Sequence, residues 1–129
     1  MSKAMRPIRV MLVEDHLAFR TALSFLLSDD PHIEVVARAG SVAEAREVLG
    51  GGGLEGAIDV ALLDLGLPDG DGGELIGELR RASPGVRIVV LSATVWAGEA
   101  EGVSGADAVL DKVRSYSRIA EEVRRLAGR

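Results

Sequence analysis

The chain has 129 residues, of which 47% are hydrophobic and 3% aromatic, and its formal net charge at pH 7 is −5. This length and composition favour one domain with its own hydrophobic core and exclude a generally disordered chain. The sequence has no cysteine, which excludes disulfides, thiolate metal sites and a cysteine nucleophile. The acidic balance and the scarcity of aromatic rings argue against direct binding of nucleic acid.

The amino-terminal segment has no targeting or membrane signal. Its apolar run, Val10 to Val13, ends at Glu14 and Asp15 and is too short for a signal peptide or a membrane span. We therefore expect a soluble, cytoplasmic protein without a membrane partner.

Five apolar, β-branched runs alternate with helical patterns along the chain. The runs predict strands over Ile8–Val13, Ile33–Ala39, Ile58–Leu65, Val86–Ser92 and Asp107–Asp111. The first, third and fourth runs are almost entirely apolar, as strands are when both faces of their sheet are covered.

The helical patterns between these strands have recognisable start and stop signals. The first helix follows the first strand and carries a stripe at helical spacing formed by Leu17, Ala18, Thr21, Ala22, Phe25 and Leu26. The second begins at Ser41, with Glu44 completing a capping box, and ends at Gly50. The two later helices group their apolar residues as Leu75, Ile76 and Leu79, and as Ile119, Val123 and Leu126. Glycines at positions 98, 102 and 105 predict a short, weak helix between the fourth and fifth strands.

Five alternations of strand and helix predict an α/β fold with a doubly wound parallel sheet and helices on both faces. Right-handed crossovers limit the possible topologies, and a five-stranded doubly wound sheet of this size most often has the strand order 2-1-3-4-5. Ligands of such a sheet bind outside the carboxyl ends of its strands, beside the switch between strands one and three.

Polar residues follow the apolar runs at that edge. Glu14 and Asp15 follow strand one, Asp64 and Ser92 end strands three and four, and Lys112 follows strand five. Three clustered carboxylates repel one another unless a cation neutralises them, and oxygen ligands alone suit Mg²⁺. A carboxylate can also attack a phosphoryl group, with Mg²⁺, the lysine ammonium and the serine hydroxyl stabilising the transferred oxygens.

Four segments in order resemble the receiver domain of two-component response regulators. They are "VMLVEDH", "ALLDLGLPDGDG", "IVVLSA" and "GADAVLDK", and they span most of the chain from Ile8 to Lys112. The resemblance implies the five-stranded flavodoxin-like fold described above. The opening "IRVMLVEDHLAFR" and the absence of proline after Lys112 resemble the subfamily that usually carries a LuxR-type helix-turn-helix output domain.

The resemblance also implies a role for each residue at the sheet edge. Asp64 is the phosphoacceptor, and Mg²⁺ is held by Glu14, Asp15, Asp64 and the backbone carbonyl of Gly66. Ser92 and Lys112 bind phosphoryl oxygens, and Lys112 pairs with Asp64 before phosphorylation. Pro68 and Gly72 shape the loop after the acceptor.

Neighbouring polar residues have structural interpretations. Asp69 and Asp71 lie in "PDGDGG", where aspartate favours turns and helix N-caps. His16 is interpreted as a residue at the start of the first helix, and Asp15 could cap that helix as well as hold a metal.

Two features depart from the family pattern. Val109 stands where family members usually carry a Tyr or Phe whose ring moves inward on activation, and the segment after Ser92 predicts only a weak helix. Trp96 lies in that segment, as a packed aromatic or as a contact for a partner. The phosphorylation chemistry is therefore better supported than its coupling to an output surface.

The main prediction is a signalling module rather than an enzyme: a receiver controlled by a histidine kinase and acting on a downstream partner or a DNA-binding output domain. An alternative is a receiver-fold interaction module with little phosphorylation control. An aspartyl-phosphate phosphatase is disfavoured, because it needs a second aspartate where this chain has Gly66. We expect one receiver domain over residues 1–129, with its core at about 8–127 and no output domain in this chain. The resemblance implies that a homodimer would form through the last helix or the surface beside it.

Overall fold

The computed structural model describes residues 6–51, 56–93, 105–114 and 116–129. Its main sheet has five parallel strands: β1 (Ile8–Val13), β2 (Ile33–Ala39), β3 (Val60–Asp64), β4 (Arg87–Ser92) and β5 (Ala108–Asp111). Their order is β2-β1-β3-β4-β5, which confirms the predicted doubly wound topology.

The described helices are α1 (Leu17–Ser28), α2 (Val42–Gly50), α3 (Ile76–Ala82) and α4 (Ile119–Leu126). Short 3-10 turns precede the last two, at Gly72–Leu75 and Tyr116–Arg118. The weak helix predicted between Ser92 and Lys112, with Trp96, falls largely outside the described residues. Among the residues that the structure describes, no helix has the length and apolar character needed to cross a membrane.

The core has one layer on each face of the sheet. Alternate residues of β1 point to opposite sides: Val10 and Leu12 pack with α1 and α4, while Met11 and Val13 pack on the α2 and α3 side. All four are fully buried. This double burial explains why the central strands read as continuous apolar runs.

Most of the stripe identified in α1 by helical spacing faces solvent and not the sheet. Leu17 and Phe25 are 64% and 72% exposed, whereas the buried residues of this helix are Leu23, Ser24 and Leu27. Helix α1 carries two apolar stripes, and helical spacing alone does not decide which one faces the sheet. The stripe with Leu23 and Leu27 packs against Val10 and Leu12 of β1. Burial of each of these two helix leucines contributes about 1.5–3 kcal/mol to the stability of the fold.

Specific hydrogen bonds form at the ends of α2, β3 and α1. Ser41 Oγ accepts from the Glu44 N–H at 3.0 Å, but the Glu44 carboxylate accepts from the N–H of Gly40, not from that of Ser41 as in a capping box. Strand β3 is shorter than the predicted run at both ends, and the N–H of Ile58, before the strand, bonds to the buried Ser83 Oγ at 2.8 Å. The N-cap of α1 is His16, whose Nδ1 accepts from the Phe19 N–H, so Asp15 does not cap this helix.

The loop after β3 folds back as a short antiparallel ribbon of Gly66–Leu67 with Gly70–Asp71. Gly72 follows this ribbon and lies against β3. A Cβ atom on Gly72 would be 2.2 Å from the carbonyl oxygen of Asp64. Glycine is therefore required here by the close approach of two backbone segments.

Candidate functional site

The carboxyl ends of the parallel strands bring the predicted site residues to one edge of the sheet. Glu14 and Asp15 follow β1, Asp64 is the last residue of β3, Ser92 is the last residue of β4, and Lys112 follows β5. Carboxylate oxygens of Glu14, Asp15 and Asp64 all lie within 4.8 Å of one another. The backbone N–H of Lys112 donates to the carbonyl of Ser92 at 2.8 Å, which ties these two positions together.

The Lys112 ammonium lies between two of these carboxylates. Its Nζ is 3.3 Å from Asp64 Oδ2, and it is closer still to Glu14 Oε1, at 2.8 Å. Side chains here are strongly shielded from solvent: Lys112 is 15% exposed, Asp64 8% and Glu14 0%. The Asp64 contact agrees with the prediction. The Glu14 contact was not predicted, because no local sequence pattern specifies which acid a lysine on another strand will reach.

Burial and charge have opposing effects on the two ends of this ion pair. Burial, together with the charge of Asp64, raises the pKa of Glu14 despite the hydrogen bonds that it accepts from Lys112 and from the His16 N–H. Burial lowers the pKa of Lys112, but the hydrogen bond to Glu14 and the charge of Asp64 outweigh it and hold that pKa above its ordinary value. Lys112 is therefore the charged partner of the pair, because two carboxylates surround its ammonium.

These residues fit a hard divalent cation. Three carboxylates and one ammonium leave an excess of negative charge at the edge of the sheet. Glu14 Oε1 is buried and, apart from its ion pair with Lys112, has no hydrogen-bond partner among the described residues. Asp15 is exposed, so this cluster is open to solvent on one side. An oxygen-only set with an open side suits Mg²⁺, which retains several waters in protein sites.

Asp64 has a defined partner on each carboxylate oxygen. Oδ1 accepts from the Gly66 N–H at 3.1 Å, and Oδ2 accepts from Lys112 Nζ at 3.3 Å. A Cβ on Gly66 would meet nothing within 4 Å, so neighbouring atoms do not impose glycine there. Ser92 is 8% exposed, beside this cluster at the end of β4. Both carboxylate oxygens of Asp64 therefore accept a hydrogen bond, which fixes the orientation of this side chain at the edge of the sheet.

An aromatic ring at the site was missed by the sequence analysis. The ammonium of Lys112 lies over the ring of Phe19, 4.7 Å from its centroid. Phe19 in turn meets Tyr116 edge to face, with the two centroids 5.8 Å apart. Phe19 lies outside the apolar stripe predicted for α1. It shares helical spacing with the buried Leu23 and Leu27, and this second stripe is the sequence feature that could have indicated its position.

Asp69 and Asp71 have the structural roles predicted for them. Asp71 caps the 3-10 turn at Gly72–Leu75 in a capping box with Glu74. The Asp69 carboxylate accepts from the backbone N–H groups of Ala43 and Val42, at the start of α2, and these bonds lower its pKa. Asp69 thereby joins the loop after β3 to another helix, which the sequence did not indicate.

Val109 is half-buried in β5 and packs against the core layer on the α2 and α3 side. An aliphatic side chain therefore stands at the position where the resemblance implies a mobile ring. Trp96, interpreted either as a packed aromatic or as a contact for a partner, lies outside the described residues.

Comparisons with known proteins agree with the fold. The model of the response regulator receiver domain family matches residues 10–124. The DNA-binding transcriptional activator DevR/DosR of Mycobacterium tuberculosis is 42% identical over 85 residues, which are 66% of this chain and 37% of that protein. The response regulator protein VraR of Staphylococcus saprophyticus is 32% identical over 121 residues, which are 92% of this chain and 56% of that protein.

A solved structure shows the same fold. A two-component response regulator of the LuxR family from Aurantimonas sp. SI85-9A1 superposes with a TM-score of 0.80 at 26% identity, over 95% of this chain and 87% of that one. This similarity agrees with the subfamily expected from the opening segment, although the chain spans only 37% and 56% of the two curated relatives above. The family match runs from β1 into α4 and includes the edge cluster, which is formed by Glu14, Asp15, Asp64, Ser92 and Lys112. The chain therefore belongs to the response regulator receiver domain family.

Proposed function

We propose that the chain accepts a phosphoryl group on Asp64 from a histidine kinase and thereby controls a downstream partner or an output domain. The observation that carries this proposal is the position of Asp64. It ends a buried strand, lies 3.3 Å from the Lys112 ammonium, and has two further carboxylates within 4.8 Å. A turn aspartate does not need a buried ammonium and an acidic pair around it.

The chemistry is a displacement at phosphorus. An oxygen of Asp64 attacks and forms the P–O bond of an acyl phosphate, while the bond from phosphorus to the donor nitrogen breaks. The nitrogen keeps the electron pair and is protonated by water. Lys112 and the Ser92 hydroxyl stabilise the transferred oxygens as charge develops on them.

In this proposal Mg²⁺ is held by the carboxylates of Glu14, Asp15 and Asp64 and by the backbone carbonyl of Gly66. When bound, it neutralises the acidic cluster and the charge on the phosphoryl oxygens. The fully buried Glu14 carboxylate, with oxygens of Asp15 and Asp64 within 4.8 Å, supports a direct or water-mediated role for that residue.

Intact mass measurement tests the proposal. The protein is incubated with Mg²⁺ and acetyl phosphate, and we expect a gain of one phosphoryl group that disappears in Asp64→Asn and after chelation of Mg²⁺. Asp69→Asn is the matched control, because it removes a carboxylate from the same loop without touching the cluster. No gain in the unaltered protein, or equal gain in Asp64→Asn, contradicts the assignment.

Val109 supports a second candidate, a receiver-fold interaction module in which phosphorylation changes the output surface little. Valine has no ring to move inward when Ser92 engages a phosphoryl oxygen. Backbone NMR with Mg²⁺, with and without beryllofluoride, distinguishes the two candidates. Large shifts across residues 93–110 support a working switch, and unchanged signals there support the interaction module.

The remaining assignments belong to the same proposal. The partners are a histidine kinase and a downstream protein or a DNA-binding output domain, and the protein acts in the cytoplasm as a signalling module. The surface of α4 is the proposed dimer face, which analytical ultracentrifugation with and without beryllofluoride tests.

A further inference from the structure

The Lys112 ammonium has an aromatic neighbour in addition to its two carboxylates. The Phe19 ring, in the first turn of α1, presents its face to Nζ at 4.7 Å from the centroid. Tyr116 contacts Phe19 at an interplanar angle of 63°. The pair joins the start of α1 to the 3-10 turn that precedes α4.

We propose that Phe19 is a positioning residue for Lys112: its ring face holds the ammonium beside Glu14 and Asp64, and Tyr116 holds the ring. The inference rests on the proposed phosphorylation of Asp64 and specifies how the ammonium is kept at that site.

A lysine side chain has four flexible methylene groups, so a short distance to one carboxylate leaves much of its freedom unrestricted. A ring face attracts a cation, and the attraction is larger when water is excluded. Lys112 is only 15% exposed, so we expect an attraction between its ammonium and the ring that is stronger than at a fully exposed site and weaker than at a fully buried one.

The ring also differs from the other two partners of the ammonium. Phosphorylation changes the charge at Asp64, and a bound cation would partly neutralise the charge of Glu14. The ring of Phe19 is uncharged, and its attraction for the ammonium stays the same throughout. It therefore offers Lys112 a constant contact while the acidic cluster changes its charge.

The position of Phe19 on its helix supports a specific role. Leu17 and Phe25 belong to the same helix and are mainly exposed, whereas Phe19 is half-buried against Tyr116 and Lys112. The aromatic contact near Lys112 thus comes from α1 and the turn before α4. It does not come from β5, where Val109 replaces the ring of the family pattern.

The test compares Phe19→Leu, which keeps an apolar side chain but removes the ring, with Phe19→Tyr, which keeps the ring. Phe25→Leu is the matched control on the exposed face of α1. Each variant is mixed with Mg²⁺ and acetyl phosphate, and the rate of phosphoryl gain is followed by intact mass. We expect Phe19→Leu to react about fivefold more slowly, and Phe19→Tyr and Phe25→Leu to stay within about twofold of the unaltered protein.

A second measurement needs no phosphorylation. The sequence has only two lysines, Lys3 and Lys112, so the side-chain signals of ¹⁵N-labelled lysine are readily assigned. We expect the Lys112 signal to shift in Phe19→Leu, through loss of the ring current and of the restraint, and to stay in place in Phe25→Leu.

These readouts separate the two levels of the proposal. If the unaltered protein gains no phosphoryl group, the proposed function fails, and the lysine spectra still report whether Phe19 holds the ammonium. An unchanged Lys112 signal in Phe19→Leu overturns the positioning role, as does a rate equal to that of the unaltered protein. Equal slowing in Phe19→Tyr overturns it too, because the ring is then retained.

If Phe19→Leu does not fold, fluorinated phenylalanine replaces it. The chain has two phenylalanines, so incorporation into a Phe25→Leu background modifies Phe19 alone. Fluorination keeps the ring shape and weakens its attraction for a cation. We expect slower phosphorylation and a shifted Lys112 signal, and the absence of both overturns the proposal.

Discussion

Replacing Lys112 by methionine tests the electrostatic balance of the edge cluster. The change keeps the length of the side chain and its packing on Phe19 but removes the ammonium. In the unaltered protein, Nζ lies 2.8 Å from Glu14 Oε1 and 3.3 Å from Asp64 Oδ2. The variant leaves the fully buried Glu14 and the largely buried Asp64 without a compensating charge.

The size of the effect follows from these distances and from burial. At an effective dielectric constant of about 20, each contact corresponds to roughly 5–6 kcal/mol of direct attraction. Desolvation of the ammonium offsets much of this, and removal of one partner from a buried pair typically costs about 3–5 kcal/mol. Because Lys112 retains some exposure, we expect Lys112→Met to lower the free energy of unfolding by about 3 kcal/mol without metal.

Urea denaturation at neutral pH, in EDTA and in excess Mg²⁺, measures this loss. Mg²⁺ binds the folded cluster and replaces the missing positive charge, so it should stabilise Lys112→Met more than the unaltered protein. A Glu14→Gln/Lys112→Met double variant should lose less stability than Lys112→Met alone, because the uncompensated buried charge is gone. If the free energy of unfolding of Lys112→Met in EDTA is within about 0.5 kcal/mol of that of the unaltered protein, the Lys112 ammonium does not compensate the two carboxylates.

Two substitutions test the packing that supports the site. Gly72→Ala places a Cβ 2.2 Å from the Asp64 carbonyl oxygen, and we expect the free energy of unfolding in urea to fall by about 1–3 kcal/mol, together with slower phosphorylation. Gly66→Ala is the control, since its Cβ meets nothing within 4 Å. Equal stability of the two variants would contradict the close approach of Gly72 to β3. Ser83→Ala leaves the buried Ile58 N–H without its acceptor at 2.8 Å. We expect the free energy of unfolding to fall by about 1–3 kcal/mol in the same assay, with an unchanged phosphorylation rate. No loss of stability would show that the N–H finds another acceptor.

The sheet could be predicted from the sequence because its signals are local and redundant. Continuous apolar runs identify buried strands, and the polar residue at the end of each run identifies the edge where parallel strands end together. The rule for doubly wound sheets then places the strand of Asp64 between the strand that Glu14 follows and the strand that Lys112 follows. These steps need no knowledge of how any side chain packs.

The rest depends on tertiary choices that local patterns leave open. Helix α1 has two apolar stripes, and only packing on the sheet selects the one with Leu23 and places Phe19 beside Lys112. Which of the two carboxylates Lys112 approaches more closely depends on how the ends of separate strands are placed, and no local sequence pattern specifies this. The cap that Asp69 provides for α2 joins two distant segments, so no short motif could reveal it.

Chemical mapping of the phosphorylated residue tests the central claim most directly. Acyl phosphates are reduced by borohydride to alcohols, so treatment after reaction with acetyl phosphate and Mg²⁺ marks the acceptor for peptide mass analysis. We predict that Asp64 alone is converted, and that its conversion requires Mg²⁺. Conversion at Asp69 or Asp71 in its place, or none at any residue, would contradict the assignment of Asp64 as the phosphoacceptor.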